Sequence, residues 1–429
     1  MDRDDEFLYV GKDILLTYEE AEGTEGVILG QMDSEGERLL TAYPAQEWAG
    51  ASGLQLAVIG AAGSGKLDSF IMPACQQAVL RGESVVITDP DGRLYGAVSE
   101  YFRINGYTVR RFNVGDAQNS DSWNCLSSIQ GAHAEYNAGV FSSVLAANIP
   151  TDIDRNVFEP AATELVTALI LRVALGDDFG EEEKTLPAIF DILALCGNPD
   201  LLDDFLLRDR SSDQLWSKHY ENFQKFDWEI RSHALEGLVR GLIQLRDVEA
   251  GWILSQDGID LTLPGKERCA YFCELPPTKS NRDFIQPLFL AMLATSLSQY
   301  SDDMRGDSIP VNFLLAEFPF AGRIPDWHRW MVTFSRRNIS STIILRSAEH
   351  LVEAYPTNWG QILGNCSAML FLGDGANPAA MVFVPERHSI FADEDDIEWV
   401  FSGLWEDDWS FVWPSGKGKF ILCRKYSAR

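Results

Sequence analysis

The stretch that most narrows what this chain can fold into is Leu54–Leu67, LQLAVIGAAGSGKL. Its short apolar run, Leu56–Ile59, reads as a buried strand ending at Gly60. Gly60 to Lys66 spells G-x-x-x-x-G-K, and a helix-compatible segment runs from Leu67 to about Leu80. Strand, glycine-rich turn and helix, in that order, are the context a phosphate-binding loop requires. Gly60, Gly63, Ser64 and Gly65 are small enough to let backbone N–H groups close around phosphate oxygens. Lys66 adds a point charge, and the helix N-terminus adds its partial positive charge. The slot after the lysine ordinarily holds Ser or Thr, whose hydroxyl binds Mg²⁺. Here it is Leu67, so the loop can hold phosphate while lacking one metal ligand. The plain alternative is an ordinary glycine-rich turn.

Further buried strands are expected at Ser84–Thr88, Thr108–Asn113, Arg268–Leu275, Val311–Phe318, Ser341–Leu345 and Ala368–Leu372. Their near-continuous apolar runs, alternating with helical segments, predict a parallel sheet covered on both faces. The fold class is therefore α/β. Asp89, at the tip of Ser84–Thr88, stands where acidic residues commonly face a ligand crevice. Between about Gly131 and Trp252 the periodicity is helical, at Glu159–Leu175, Leu186–Leu195, Leu201–Leu207, Asp213–Phe226 and Ile230–Arg246. These segments predict an all-α insertion, with Lys218, Lys225, Arg231 and Arg240 on solvated helix faces. Helices are also expected at Leu94–Asn105, Asn281–Tyr300, Trp327–Arg336, Ser347–Ala354 and Asn358–Gly364.

The two ends differ from this middle. Residues 1–50 carry 13 acidic and 3 basic residues and weak strand patterns at Phe7–Val10, Asp13–Thr17 and Gly26–Leu29, a small β appendage or arm. The tail, residues 391–429, packs eight acids among aromatics from Phe391 to Trp413. A helix at Asp395–Phe401 and an edge hairpin, Trp409–Trp413 with Lys419–Cys423 about Gly416–Gly418, account for it. The alternative is an acidic, aromatic partner-binding segment. The organisation is thus 1–50, a nucleotide-binding domain from 51–130 and 255–390, the insertion 131–254, and the tail 391–429.

Charge and composition set limits on function. The net charge of −29 removes any argument for DNA binding from overall electrostatics, because nucleic-acid surfaces are basic. The seven cysteines are odd in number and scattered without a C-x-x-C pair, which predicts reduced thiols and no zinc site. The six histidines are isolated, so no metal ligand set is read from the sequence. No apolar run reaches the roughly 18 residues of a membrane span, and no signal peptide begins at Met1, which places the chain in the cytoplasm.

The motifs, taken together, resemble the TraG-type coupling proteins, RecA-like and FtsK-related ATPases that pump DNA into conjugative type IV secretion channels. The residues that carry this resemblance are GAAGSGK at Gly60–Lys66, TDPDGRLY at Thr88–Tyr95, GYTVRRFN from Gly106 and SDSWNCL at Ser120–Leu126. Downstream come FLLAEFPFAGRIPDW at Phe313–Trp327, SRRNISSTIILRSAEHL at Ser335–Leu351 and GNCSAMLFLG at Gly364–Gly373. The resemblance implies a RecA-like P-loop domain with an inserted all-α domain. It implies ATP as ligand at Gly60, Gly63, Ser64, Gly65, Lys66 and Leu67, with Asp89 and Arg346 nearby. It further implies Glu317 as general base, and Arg336 or Arg337 as a finger acting on a neighbouring subunit. The plain reading of the two arginines is a helix-end surface.

The departures from the family gather in one corner. The metal-bearing hydroxyl is Leu67, and the family's Walker B aspartate is Ala316. The family's γ-phosphate-sensing glutamine is Arg346. The DPKGE turn is Asp89-Pro90-Asp91-Gly92-Arg93, with both charges reversed. Losing two protein anchors of one Mg²⁺ points to loss of metal-assisted hydrolysis, with weak or Mg²⁺-independent ATP binding retained. Three readings follow: a pseudo-ATPase acting as scaffold or accessory of a mobile-element transfer system; an active ATP-driven DNA translocase recruiting Mg²⁺ through Glu317 and water; and a nucleotide sensor that never assembles on DNA. The partners implied are a hexamer of the chain itself, a partner coupling protein or a relaxosome component, with DNA left open. The family's membrane helices are missing here, so docking at the inner face of the membrane would go through a partner.

Overall fold

Runs such as SVVIT and VNFLLA form strands because β-branched and other apolar side chains pack well on a pleated surface buried on both faces. The computed structural model describes residues 15–17, 27–34, 37–43, 54–113, 115–207, 215–274, 284–373, 409–414 and 421–425. The strands are β1 (Leu15–Thr17), β2 (Val27–Ser34), β3 (Glu37–Tyr43), β4 (Gln55–Ile59), β5 (Ser84–Thr88) and β6 (Thr108–Asn113). They continue as β7 (Cys269–Glu274), β8 (Val311–Ala316), β9 (Ile339–Leu345), β10 (Ala368–Leu372), β11 (Trp409–Pro414) and β12 (Ile421–Arg424). All twelve make one sheet in the order β1-β3-β2-β12-β11-β10-β4-β9-β8-β5-β7-β6.

From β10 to β6 every neighbouring pair is parallel. Side chains alternate between the two faces, as a strand's two-residue period requires. Ala57, Ile59, Phe313, Leu315, Ile343 and Leu345 join the core beneath the helical region. Leu56, Val58, Leu314, Ala316, Ile344 and Leu372 join a second core on the opposite face. The strand β8 ends two residues short of expectation, because Glu317 turns into the left-handed region at φ 56°.

Between β6 and β7 the chain is helical. The expected segments appear at Arg155–Leu175, Leu186–Cys196, Pro199–Leu207, Leu215–Gln224 and Trp228–Leu242. Arg155–Leu175 begins before its expected start, since the Asp154 carboxylate caps it by accepting the Asn156 N–H at 2.8 Å. A helix not read from the sequence, Ala134–Asn148, is made largely of Ala, Ser and Asn and has no clear apolar stripe. The bases of this region have local partners. Lys218 lies 3.7 Å from Glu135, Arg231 3.1 Å from Asp203 and Arg240 2.7 Å from Asp152, and Lys225 donates to Asn222.

At the other end the structure corrects the expected edge hairpin. β11 pairs with β10 and β12 with β2, so the tail strands are interior to the sheet. They tie the amino-terminal strands β1 to β3 onto the parallel core. The expected Phe7–Val10 strand, the Asp395–Phe401 helix and the Gly416–Gly418 turn lie outside the described residues.

Candidate nucleotide-binding site

The chain leaves β4, between β10 and β9 in the sheet, and enters the glycine loop. Gly60 N–H donates to the Leu345 carbonyl at 3.0 Å, and Ser64 N–H to Ala61 at 3.2 Å, closing the turn. Gly63 and Gly65 sit at φ 87° and 82°, a region that a side chain would strain. Lys66 Nζ donates to the carbonyls of Gly60 and, at 2.7 Å, Ala61. The helix that follows does not begin as a regular α-helix. Leu67–Ile71 forms one π-helical turn before Met72–Arg81 continues as α-helix. Pro73 has no N–H to give the carbonyl four residues earlier, which removes one rung of an α-register at this point. Such π turns often mark functional sites.

The two positions expected to hold a metal carry no oxygen. Leu67 packs against the apolar cluster that contains Phe70, Ala316 and Leu372. Ala316 is 7% exposed, and its carbonyl accepts the Thr88 hydroxyl at 2.7 Å. Ser69, two residues after Leu67, is turned back toward the loop, with its Oγ 3.3 Å from where a Cβ on Gly65 would stand. Among the described residues no group of three His, Cys, Asp or Glu could hold a metal ion. Mg²⁺ held as the family resemblance implies does not fit these side chains.

Glu317 and Arg346 come together. Arg346 Nε donates to Glu317 Oε1 at 2.7 Å, and its Nη2 lies 2.6 Å from Oε2, a two-pronged pair. The guanidinium also lies 5.6 Å over the Phe320 ring, which meets His350 at 4.8 Å. Arg346 directly follows Leu345, whose carbonyl holds Gly60, so this pair borders the loop. A second cation was missed in the sequence reading. Lys425, just after β12, passes the loop with its Cδ 4.0 Å from a Cβ placed on Gly65. Only the sheet topology brings it there, and no motif signals it.

Asp89 follows β5, at the same end of the parallel sheet as the loop. It is fully buried, and its Oδ2 accepts the Tyr95 N–H at 2.7 Å, capping helix Arg93–Ile104. Gly92 at φ 72° folds that helix start over the carboxylate. Its Oδ1 has no hydrogen-bond partner. Burial pushes the Asp89 carboxyl above the usual carboxylate range, against the helix N–H bonds that lower it. A folded pKa above the unfolded one means the folded state binds more protons, so this group costs stability as pH rises through that interval. Asp89→Asn should therefore raise stability at neutral pH and abolish the part of the stability loss that this carboxyl imposes as pH rises through the carboxylate range. A variant no more stable than the parent at neutral pH would show that Asp89 imposes no such cost.

Arg336 and Arg337 lie at the other end of the sheet, before the first residue of β9. Seven residues of strand, roughly 20 Å, separate them from the loop within one chain. Arg337 forks onto Asp302 at 2.7 to 3.0 Å, and Arg336 is exposed. Cys75, Cys125, Cys196, Cys269, Cys273 and Cys366 are free and buried. Burial pushes the thiols of Cys75 and Cys366 up to about 12, so they stay protonated at neutral pH.

A glycine loop with its lysine on a central strand, in a parallel sheet crossed by helices, defines a RecA-like P-loop nucleoside-triphosphatase fold. Within that class the chain belongs to the family described as type IV secretory system conjugative DNA transfer, which it matches over residues 20–377. Solved structures agree on the fold. The bacterial conjugative coupling protein TrwBdeltaN70 in complex with sulfate shares 16% identity at a TM-score of 0.62, covering 87% of this chain and 86% of that one. TrwB with the non-hydrolysable ATP analogue ADPNP shares 14% at 0.62, covering 91% and 88%. VirB4 of Thermoanaerobacter pseudethanolicus shares 13% at 0.54, covering 95% and 97%. A comparison with curated protein sequences returned no match. Among the described residues no helix is long and apolar enough to cross a membrane.

Proposed function

We propose that this chain is a coupling-protein relative that binds a nucleoside triphosphate at Gly60–Lys66 and has lost most magnesium-dependent hydrolysis, serving conjugative transfer as an accessory or scaffold. The observation that carries this reading is the shared apolar setting of Leu67 and Ala316, the two positions from which protein would anchor one cation. Phosphoryl transfer depends on positioned charge, so removing both anchors removes the stabilisation that speeds it. The fork between Arg346 and Glu317 reinforces the reading, because it engages both oxygens of the carboxylate that would orient attacking water.

ATP is the ligand taken for the test; TrwB was solved with ADP and Mg²⁺, with ADPNP and with the GTP analogue GDPNP. The chain would work on the cytoplasmic side, as a ring of its own copies or beside a partner coupling protein or relaxosome component. Arg336 is then available to a neighbouring subunit. Steady turnover of ATP with Mg²⁺ is expected to stay at background and to be unaltered by Lys66→Ala. Turnover that disappears in Lys66→Ala would establish an active ATPase and end the pseudo-enzyme reading.

A further inference from the structure

We propose that Arg346 replaces the divalent cation at this site, and that Glu317 holds it in reserve until a triphosphate takes it over. This rests on the reading of Gly60–Lys66 as a nucleotide site and adds to it the way terminal phosphate is recognised.

A triphosphate needs countercharge, and Leu67 and Ala316 cannot recruit a metal to provide it. One protein cation, Lys66, touches Gly60, and a second, Arg346, is carried on the backbone beside it. Lys66 bonds the carbonyl of this glycine, while its N–H is held by Leu345, the residue before Arg346. Ile59 and Leu345 are partners in the parallel pair of β4 and β9, so the backbone at Arg346 runs about one strand spacing, roughly 4.8 Å, from the start of the loop. The planar guanidinium can donate to phosphate oxygens in the same two-pronged geometry with which it now donates to carboxylate.

The pair is built for exchange. The Arg346 side chain is 47% exposed and that of Glu317 23%, so water can solvate a released carboxylate. Phe320 lies beneath the guanidinium, 5.6 Å from it to the ring centre, and gives it a stacking face besides the carboxylate. Glu317 meanwhile is fixed, left-handed at φ 56° with its carbonyl accepting the Phe320 N–H at 2.8 Å. Triphosphate and carboxylate thus compete for one fork. A diphosphate, which Lys66 and the loop amides can hold by themselves, competes less.

Titration calorimetry on the full chain tests this, using ATP and ADP, each in EDTA and in excess Mg²⁺. ATP is expected to bind in EDTA within about threefold of its affinity in Mg²⁺, a smaller change than the tenfold that one charge-assisted hydrogen bond is worth. Arg346→Gln should weaken ATP about tenfold or more and leave ADP nearly unchanged. Glu317→Gln, which removes the competitor, should tighten ATP several-fold. ATP binding that requires Mg²⁺ overturns the proposal, as does equal weakening of ATP and ADP in Arg346→Gln or no gain in Glu317→Gln. If the unaltered chain binds neither nucleotide, the nucleotide-site reading itself fails and takes this one with it. Binding that Lys66→Ala abolishes, with Arg346→Gln and Glu317→Gln both silent, overturns the exchange alone.

Discussion

The triple exchange Leu67→Thr, Ala316→Asp and Arg346→Gln should give the chain magnesium-dependent ATP turnover at least about 100-fold above its starting value. A bound divalent cation contributes several kcal/mol to a phosphoryl transition state, and each 1.36 kcal/mol is a factor of ten in rate. Threonine returns a hydroxyl directly after Lys66, and aspartate returns a carboxylate at the tip of β8. Glutamine frees Glu317 from its two-pronged partner, 2.7 and 2.6 Å away. All three changes are needed, because metal anchors without a free Glu317 leave the attacking water unoriented. A free Glu317 without the metal leaves the phosphate charge unrelieved. The exchange has a structural cost. Ala316 is 7% exposed within an apolar cluster, so an aspartate there lowers stability unless the metal is bound. Mg²⁺ should accordingly raise the melting temperature of the triple variant and leave that of the parent unmoved. Colorimetric phosphate release and a melting curve with and without Mg²⁺ check both expectations. A magnesium-dependent melting shift without turnover would mean that the remaining machinery has decayed as well. No shift at all would show that these two side chains do not stand at the cation's place.

Most of the parallel sheet was legible because its strands are short apolar runs punctuated by Gly, Asp and Pro. Ser84–Thr88, Thr108–Asn113 and Ala368–Leu372 fall on the residues expected from the sequence. Legibility fails where a single residue decides backbone geometry. Glu317 takes a left-handed conformation that no local pattern announces, and the π turn at Leu67–Ile71 looks in sequence like any helix start. Helix Ala134–Asn148 escaped notice for another reason: it is buried on several sides, so it has no apolar stripe to read. At the site, the loop and its missing oxygens were visible from residue types alone. The pairing of Glu317 with Arg346 was not, since 29 positions separate them and only the register of β8 against β9 joins them. Lys425 was further from view, because the tail was expected at an edge and instead runs inside the sheet.

Removing one arginine at the far side of the sheet should destabilise the chain more than any of these site changes. Glu274, at the end of β7, has a side chain 4% exposed, and Arg111 on β6 grips both its oxygens at 2.6 and 2.8 Å. Asn113 donates to the same carboxylate at 2.7 Å, and the guanidinium lies 4.5 Å over the Tyr95 ring. The hydrogen bonds to Glu274 hold Arg111 even more firmly protonated than usual. Arg111→Ala leaves Glu274 buried with only the Asn113 amide, beside Asp89, whose own carboxyl already resists ionising. Stripping one partner from a buried ion pair costs about 3–5 kcal/mol, whereas replacing both by apolar groups of similar volume is often near neutral. Arg111→Ala should thus lower the urea midpoint sharply, and Arg111→Met with Glu274→Leu should recover most of the loss. A single variant as stable as the parent, or a double variant no better than the single, would show that burial of this carboxylate is not what Arg111 offsets.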